Sequence, residues 1–235
     1  MSLPVAILAG GLATRLRPLT DNAPKSLIEV AGEPFIFHQL AWLSRQGIGD
    51  VILCVGHRGE EIKAAVGDGK KWGIGVRYSY DGPQLAGTAG AIRRALPLLW
   101  DAFFVMYGDS YLRCDLAAVE AAFRASGKPA LMTVLQNDGR WDTSNVLMDG
   151  DALVRYDKGH PTPDMEHIDY GLGVLSRAAF ASHPNATDLA EVYESLSQRG
   201  QLAAYLVRER FYEIGSPQGL AETKEFLERQ ALELH

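Results

Sequence analysis

The chain has 235 residues, 47% of them hydrophobic, and a formal net charge of -6 with Lys and Arg mixed among Asp and Glu. Such a length and apolar fraction suit a globular protein with a sizeable core. The acidic balance excludes a general affinity for nucleic acid or an anionic membrane surface, so any bound phosphate must be held locally by a few well-placed groups.

Val5 to Leu8 is a short continuous apolar run, the pattern of a strand covered on both faces. It is too short for a signal peptide, and glycines follow at once. Pro34 predicts the opening of a helix that runs to about Gln46, with Ile36, Leu40 and Leu43 on one face and Gly47 as its stop. Val51 to Val55 is a second buried strand, in which Cys54 reads as a small core residue. Glu60 to Val66 is a short helix, Val76 to Tyr80 a strand, and Thr88 to Ala95 a helix ended near Pro97. Phe103 to Tyr107 is another buried strand, followed directly by Gly108-Asp109-Ser110; Asp115 then caps a helix that ends at Gly127. Strand alternating with helix predicts right-handed crossovers and a mostly parallel sheet.

The second half changes character. Ala130 to Gln136 reads as a strand, and Asn145 to Met148 with Ala152 to Tyr156 as a hairpin about Asp149-Gly150-Asp151. Ile168 to Leu175 is a further strand, Thr187 or Asp188 starts a helix through Arg199, and Ala203 to Val207 and Arg210 to Ile214 are short strands. Ser216-Pro217 pairs an N-cap with a proline at the first helical position, opening a last helix towards Leu234. Repeats, low-complexity tracts and Gly/Ser linkers are absent from the sequence, and so is any run of about 18 apolar residues that would span a membrane. Cys54 and Cys114 lie far apart, and the six histidines show no paired spacing, which argues against zinc. A soluble, reducing, cytoplasmic setting is the expectation.

Chemistry concentrates after the first strand. Open parallel sheets bind ligands at the carboxyl ends of their strands. There the chain places Gly10 and Gly11, whose exposed amides form an anion-binding concavity, and Leu8 and Ala9 just before them are expected nucleotide-binding residues. Thr14 adds a hydroxyl, Arg15 and Arg17 add guanidinium forks, Pro24 stiffens the return, and Lys25 brings back a compact positive charge. Together these fit a triphosphate. The loop is neither GxxxxGK[ST] nor GxGxxG, since Leu12, Ala13 and Thr14 follow Gly11; the glycine spacing disfavours a NAD-dependent dehydrogenase.

The stretch from Gly10 to Thr20, with Pro24-Lys25 after it, resembles the signature GGxGTRLxPLT…PK of the sugar-1-phosphate nucleotidyltransferases, with Ala13 in place of the usual glycine. The likeness extends over nearly the whole chain. It implies an α/β, Rossmann-like three-layer sandwich of the nucleotide-diphospho-sugar transferase type. It further implies one domain over 1–235, with a nucleotide-binding half (1–128) and a sugar-phosphate half (129–235). The implied substrates are a nucleoside triphosphate and a sugar-1-phosphate, the implied products a nucleotide-sugar and pyrophosphate. The loop wording is similar to that of heptose-1-phosphate guanylyltransferases and N-acetylmuramate-1-phosphate uridylyltransferases, which leaves base and sugar open. No further domain for acyl transfer or regulation is expected, and the oligomeric state is not legible.

By the same resemblance Arg15 and Lys25 are the catalytic cations. Asp109 is a magnesium ligand, and the second is Glu213 in Glu213-Ile214-Gly215-Ser216-Pro217, where the family carries aspartate. Mg2+ is the implied cofactor, a hard ion that holds few carboxylates and completes its shell with phosphate oxygens and water. Gly87 and Thr88 in the Leu85 to Gly90 stretch, with neighbouring Gln84, are implied nucleobase contacts. Asp157 and Lys158 replace a Glu-Lys pair that holds the sugar hydroxyls and its phosphate, and Asp169-Tyr170-Gly171 stands where the family has Asn-Ala-Gly lining the sugar pocket. The Trp141 to Asn145 loop, with Asn145, borders the same pocket. Two rivals share this reading: a phosphocholine-type cytidylyltransferase, whose sign is an aromatic cage that Trp141 and Tyr170 leave open, and a non-catalytic nucleotide-sugar sensor, for which a retained acid pair has no use.

Overall fold

The structure is a computed structural model and describes residues 2–11, 16, 23–82 and 84–233. In chain order the first half holds β1 (Val5–Leu8), β2 (Glu29–Val30), β3 (Glu33–Pro34), α1 (Phe35–Arg45), β4 (Asp50–Val55), α2 (Gly59–Val66), β5 (Gly75–Tyr80), α3 (Gly87–Ala95), β6 (Ala102–Tyr107), β7 (Ser110–Tyr111) and α4 (Leu116–Ser126). The second holds β8 (Ala130–Gln136), β9 (Val146–Asp149), β10 (Ala152–Tyr156), β11 (His167–Ser176), α5 (Arg177–Ala181), α6 (Leu189–Gln198), β12 (Leu202–Val207), β13 (Tyr212–Glu213) and α7 (Pro217–Glu233).

Among the described residues, nine strands from both halves share one mixed sheet. Its main path runs β10-β9-β11-β6-β1-β4-β5, while β8 pairs with β11 and β12. β6, β1, β4 and β5 are mutually parallel, so their carboxyl ends lie on one edge; β11 enters antiparallel to β6 and β8. The continuous apolar runs follow from burial on both faces. In β1, Val5 and Ile7 join the core beneath α1, α2, α4 and α7, whereas Ala6 faces the core beneath α3, α5 and α6. Residues of β4 and β6 alternate between the same two cores: Leu53 and Phe104 on one side, Cys54 and Phe103 on the other.

Local signals set the element ends. Asp115 accepts from the amides of Ala117 and Ala118, and Gly127 closes α4 in the left-handed region at φ 62°. Asp188 opens α6 through a reciprocal capping box with Glu191. Ser216 Oγ accepts from the Gly219 amide at 3.0 Å, the N-cap expected for α7. Three expectations need correction. Pro34 stands in β3 as the residue before α1 rather than within it. Only Tyr212 and Glu213 of the Arg210 to Ile214 run form a strand, because their partner β7 is itself two residues long. Short α5, which the sequence reading did not expect, follows β11 directly from Ser176, whose side chain makes no cap hydrogen bond. No helix among the described residues is long and apolar enough to cross a membrane.

Candidate functional site

At the shared carboxyl edge of β1, β4, β5 and β6 lies a cavity of about 330 Å³. Its lining includes Leu8, Ala9, Gly10, Gly11, Gly87 and Thr88, six of the residues that the sequence marks for nucleotide. Thr14 and Arg15, together with Leu12, Ala13 and Arg17, lie outside the described residues. The amides of Gly10 and Gly11 make no hydrogen bond to another described residue, which leaves them free for an anion.

The β6 side of the cavity carries charge. Gly108 donates its amide to Leu8 O at 3.0 Å, and a Cβ on Gly108 would stand 2.5 Å from that same oxygen; only glycine lets the two strand ends approach so closely. Asp109 is thereby fixed beside the β1 loop. Its carboxylate meets Lys25 Nζ at 2.7 Å, and both residues line the cavity. β7 then pairs antiparallel with β13, Ser110 opposite Glu213, and Ile214 donates its amide to Asp109 O at 2.9 Å. This two-residue ladder brings Glu213 to Asp109 across more than a hundred residues of sequence. The Glu213 carboxylate turns onto the start of α7, taking the Gly215 amide, the Ser216 amide at 3.1 Å and the Ser216 hydroxyl at 2.6 Å. One point, where a Cβ on Gly215 would sit, lies 2.6 Å from Glu213 Oε2, 3.2 Å from Lys25 Nζ and 3.4 Å from Asp109 Oδ2.

Two carboxylates from different elements thus face Lys25 beside Gly215, the kind of donors a hard divalent cation takes. Among the described residues no group of three or more acidic, His or Cys side chains is gathered anywhere, so a cation here would take its remaining oxygens from phosphate and water.

Two residues missed by sequence reasoning complete this side. Gln39 of α1 is wholly buried and donates from Nε2 to Tyr107 O at 3.1 Å and Ser110 O at 2.8 Å, clamping both flanks of Gly108-Asp109. Its signal was a polar residue on the helix face shared with Ile36, Leu40 and Leu43. Ser26, next to Lys25, lines the cavity with a buried hydroxyl that has no hydrogen-bond partner among the described residues.

The β4–β5 side is built from Cys54, Asp81, Leu85 and Ala91. Burial raises the Cys54 thiol to about 12 and also raises the Asp81 carboxyl; the Ala86 amide and the charge of Arg94 oppose the shift at Asp81. Gly87 adopts φ +71°, and a Cβ there would meet Thr187 O at 2.3 Å, so glycine is required. The Thr88 hydroxyl is committed to α6, donating to Asp188 Oδ1 at 3.0 Å and accepting from the Leu189 amide at 2.7 Å. Gln84 is exposed and does not line the cavity.

The sugar-half residues divide. A β-bulge shifts the register of β11 between Asp169 and Gly173, with Gly171 at φ +91°. Here the expectation for Tyr170 needs correction: its side chain is 1% exposed, packs edge-on against Phe211 and accepts the Arg113 amide at 2.8 Å, so it stands in the core and not against a sugar. Asp169 instead comes within electrostatic reach of Tyr107, a cavity residue. Desolvation raises the Asp169 carboxyl to about 6, opposed by the Gly171 amide and by Lys158. Asn145 accepts the Asp169 amide on Oδ1 at 3.1 Å. Lys158 is exposed. Asp157 is 2% exposed, and both of its oxygens are engaged, one by Arg155 at 2.6 Å and the other by the His160 amide at 2.7 Å, so its carboxylate closes a turn.

Comparisons with known proteins place this arrangement. The chain is 35% identical over 164 residues to a glucose-1-phosphate thymidylyltransferase of Streptomyces antibioticus, a match covering 68% of this chain and 46% of that protein. It is 41% identical over 116 residues to the N-acetylmuramate alpha-1-phosphate uridylyltransferase of Neisseria meningitidis, covering 48% of this chain and 49% of that protein. The chain thus spans about half the length of these curated relatives. A candidate glucose-1-phosphate thymidylyltransferase of Bacillus anthracis, solved with sucrose, superposes with a TM-score of 0.84 at 18% identity, covering 97% of this chain and 96% of that one, which shows a common fold. Residues 5–144 match the family model described as Nucleotidyl transferase, and the chain belongs to that family.

Proposed function

We propose that this chain transfers a nucleoside monophosphate from a nucleoside triphosphate to a sugar-1-phosphate, giving a nucleotide-sugar and pyrophosphate. One observation carries the reading: Lys25, Asp109 and Glu213, far apart in sequence, converge on a single point beside the glycine loop. A binding protein needs neither the acid pair nor the lysine between them.

The attacking atom in such a transfer is a phosphate oxygen. A phosphate monoester has its second pKa near ~6, so the nucleophile is already anionic at neutral pH and no protein base is required. The work of the site is to bring two polyanions together in line against their repulsion. The free amides of Gly10 and Gly11 receive the triphosphate, Lys25 places its ammonium beside it, and the Ser26 hydroxyl stands next in the cavity wall. Lys158, whose charge reaches Asp169, is positioned to take the sugar phosphate, and Asn145 anchors the strand beside it. Arg15 takes its role from the family resemblance. Mg2+, for which Asp109 and Glu213 are the holding residues, supplies neutralisation of phosphate charge when bound.

The test runs the reaction in reverse, with pyrophosphate, Mg2+ and a panel of nucleotide-sugars, following release of nucleoside triphosphate. Turnover of at least one member is expected. Tight binding of a nucleotide-sugar without turnover of any would make the protein a sensor.

A further inference from the structure

We infer that Tyr107, Tyr156 and Tyr193, together with Asp169, receive the sugar ring and restrict the sugar-1-phosphate to one that bears hydroxyls and no second negative charge. This rests on the transferase reading above and adds the class of sugar. Tyr107 ends β6, Tyr156 ends β10, Asp169 lies in β11 and Tyr193 in α6. All four belong to the α3, α5 and α6 side of the sheet. Tyr156 and Tyr193 are part of that core, Tyr107 alternates in step with Phe103 and Val105, and Asp169 alternates against Ile168 and Tyr170, which face the other core. Burial raises all three phenols above their ordinary range, and the charge of Asp169 adds to the shift of each, so the three hydroxyls lie within electrostatic reach of one carboxylate.

These groups are short of partners. Tyr156 and Tyr193 are 1% and 3% exposed, with ring centroids 6.1 Å apart and rings nearly perpendicular. Neither their hydroxyls nor that of Tyr107 makes a hydrogen bond to another described residue, and the Asp169 oxygen that the Gly171 amide does not take is equally unbonded. All four oxygens nevertheless keep some accessible surface. Buried phenols ordinarily find a partner inside the protein. The cluster also adjoins the phosphate end of the nucleotide cavity. Tyr107 lines that cavity, and a Cβ on Gly171 would meet both Tyr107 Cδ2 and Ser110 Oγ at 3.4 Å; Ser110 Oγ in turn donates to Asp109 at 3.4 Å.

The chemistry follows from the groups. Each phenol can donate and accept a hydrogen bond, and the ionised carboxylate accepts. A hydroxylated ring supplies both kinds of partner. The charge around it is negative: Asp169 reaches all three phenols, Asp188 reaches Tyr107 and Tyr156, and Glu194 reaches Tyr156. Lys158, whose charge reaches Asp169, is taken by the sugar phosphate in the reading above. A carboxylate on the sugar itself would meet these acids with no cation left to pair it.

Pyrophosphate release by the whole chain tests this, with Mg2+, a mixture of GTP, ATP, CTP, UTP and dTTP, and one sugar-1-phosphate at a time. The neutral set holds hexose and heptose 1-phosphates; the anionic set holds hexuronic acid 1-phosphates and N-acetylmuramic acid 1-phosphate. The best neutral member is expected to exceed every anionic one by more than ~10-fold in kcat/KM. An anionic member within that factor overturns the inference and leaves the transferase reading standing. Use of no member of either set overturns both. Tyr156→Phe and Tyr193→Phe each remove one hydroxyl and keep the ring. Each is expected to raise the KM for the sugar-1-phosphate by about 3–10-fold and to leave the KM for the triphosphate unchanged. The melting temperature is expected not to fall, because the hydroxyl bonds nothing in the free protein; a structural hydroxyl would lower it. An unchanged sugar KM in either variant overturns the inference. If a variant does not fold, the comparison of the two sugar sets on the wild-type chain decides by itself.

Discussion

Lys25 Nζ lies 2.7 Å from Asp109 Oδ2, an ion pair that joins the end of the glycine loop to the turn after β6 across 84 residues of sequence. The Asp109 side chain is 37% exposed, so solvent screens the pair and it contributes little to stability. Its value is positional, because each partner holds the other at the cavity wall. Lys25→Ala is therefore expected to leave the urea midpoint nearly unchanged while lowering kcat by about 10²-fold, the usual cost of removing one preorganised charge from a transferring phosphate. Steady-state pyrophosphate release and a denaturation curve on the same preparation check both halves.

Gly215 offers a sharper separation of stability from chemistry. Its φ does not lie in the left-handed region, so alanine suits the backbone. The new Cβ collides with the tip of the Glu213 side chain and crowds Lys25 Nζ and Asp109 Oδ2. Side-chain tips yield cheaply, but here they are the groups whose spacing matters. Gly215→Ala is expected to fold with a stability within ~1 kcal/mol of wild type and to lose about 10²-fold in turnover, since a displacement near 1 Å at a reacting centre has that effect. Wild-type turnover in a folded Gly215→Ala variant would show that the three groups do not act through that point.

Much of the sheet was legible because burial on both faces writes strands as unbroken apolar runs. β1 coincides with the run Val5 to Leu8, and β8 with Ala130 to Gln136. The convergence of Asp109 with Glu213 was not written in any local pattern. It depends on a two-residue ladder between β7 and β13, too short to carry a periodic signal, and only the family resemblance anticipated it. Tyr170 is in the core by plain alternation, since Ile168, Tyr170, Leu172 and Val174 share the face beneath α1, α2, α4 and α7; the resemblance at Asp169-Tyr170-Gly171 hid that period-2 pattern. That Asp157 closes a turn with Arg155 and His160 was not legible, because Asp beside Lys is the same dipeptide with or without such a turn. Asp81 went unnoticed among Tyr80, Gly82 and Pro83, where a carboxylate reads as a turn residue. Its position at the carboxyl end of a parallel strand was the available clue.

Gln39 makes a prediction of its own. Both donors of its amide are spent on carbonyls that bracket Gly108-Asp109, and the residue has no exposed surface. Gln39→Leu removes the donors and leaves those carbonyls short of a partner inside the protein, at a cost of about 1–3 kcal/mol. The urea midpoint falls accordingly, with an unchanged m-value. Gln39→Glu keeps the shape but turns a carboxylate towards two carbonyl oxygens, and is expected to destabilise at least as much at pH 7. A midpoint for Gln39→Leu equal to wild type would mean that the clamp carries no energy.

Asp169 gives the pH dependence. Its folded-state carboxyl is raised from 3.8 to about 6, chiefly because burial disfavours the ionised form. Between those values the folded protein binds more protons than the unfolded chain, so this group lowers stability as pH rises from about 4 to 6, and the loss is complete above that window. The shift corresponds to about 1–3 kcal/mol. Asp169→Asn retains an acceptor for the Gly171 amide, which now bonds Asp169 Oδ1 at 2.9 Å, and removes the charge. The variant is expected to match wild type below pH 4 and to exceed it in stability by about that amount at pH 7.5. Urea denaturation at a series of pH values reads the difference directly, with the other carboxylates cancelling between the two proteins. Curves for the two proteins that stay parallel from pH 4 to pH 7.5 would show that Asp169 is ionised in the folded state throughout, and that Lys158 and the Gly171 amide compensate its burial in full.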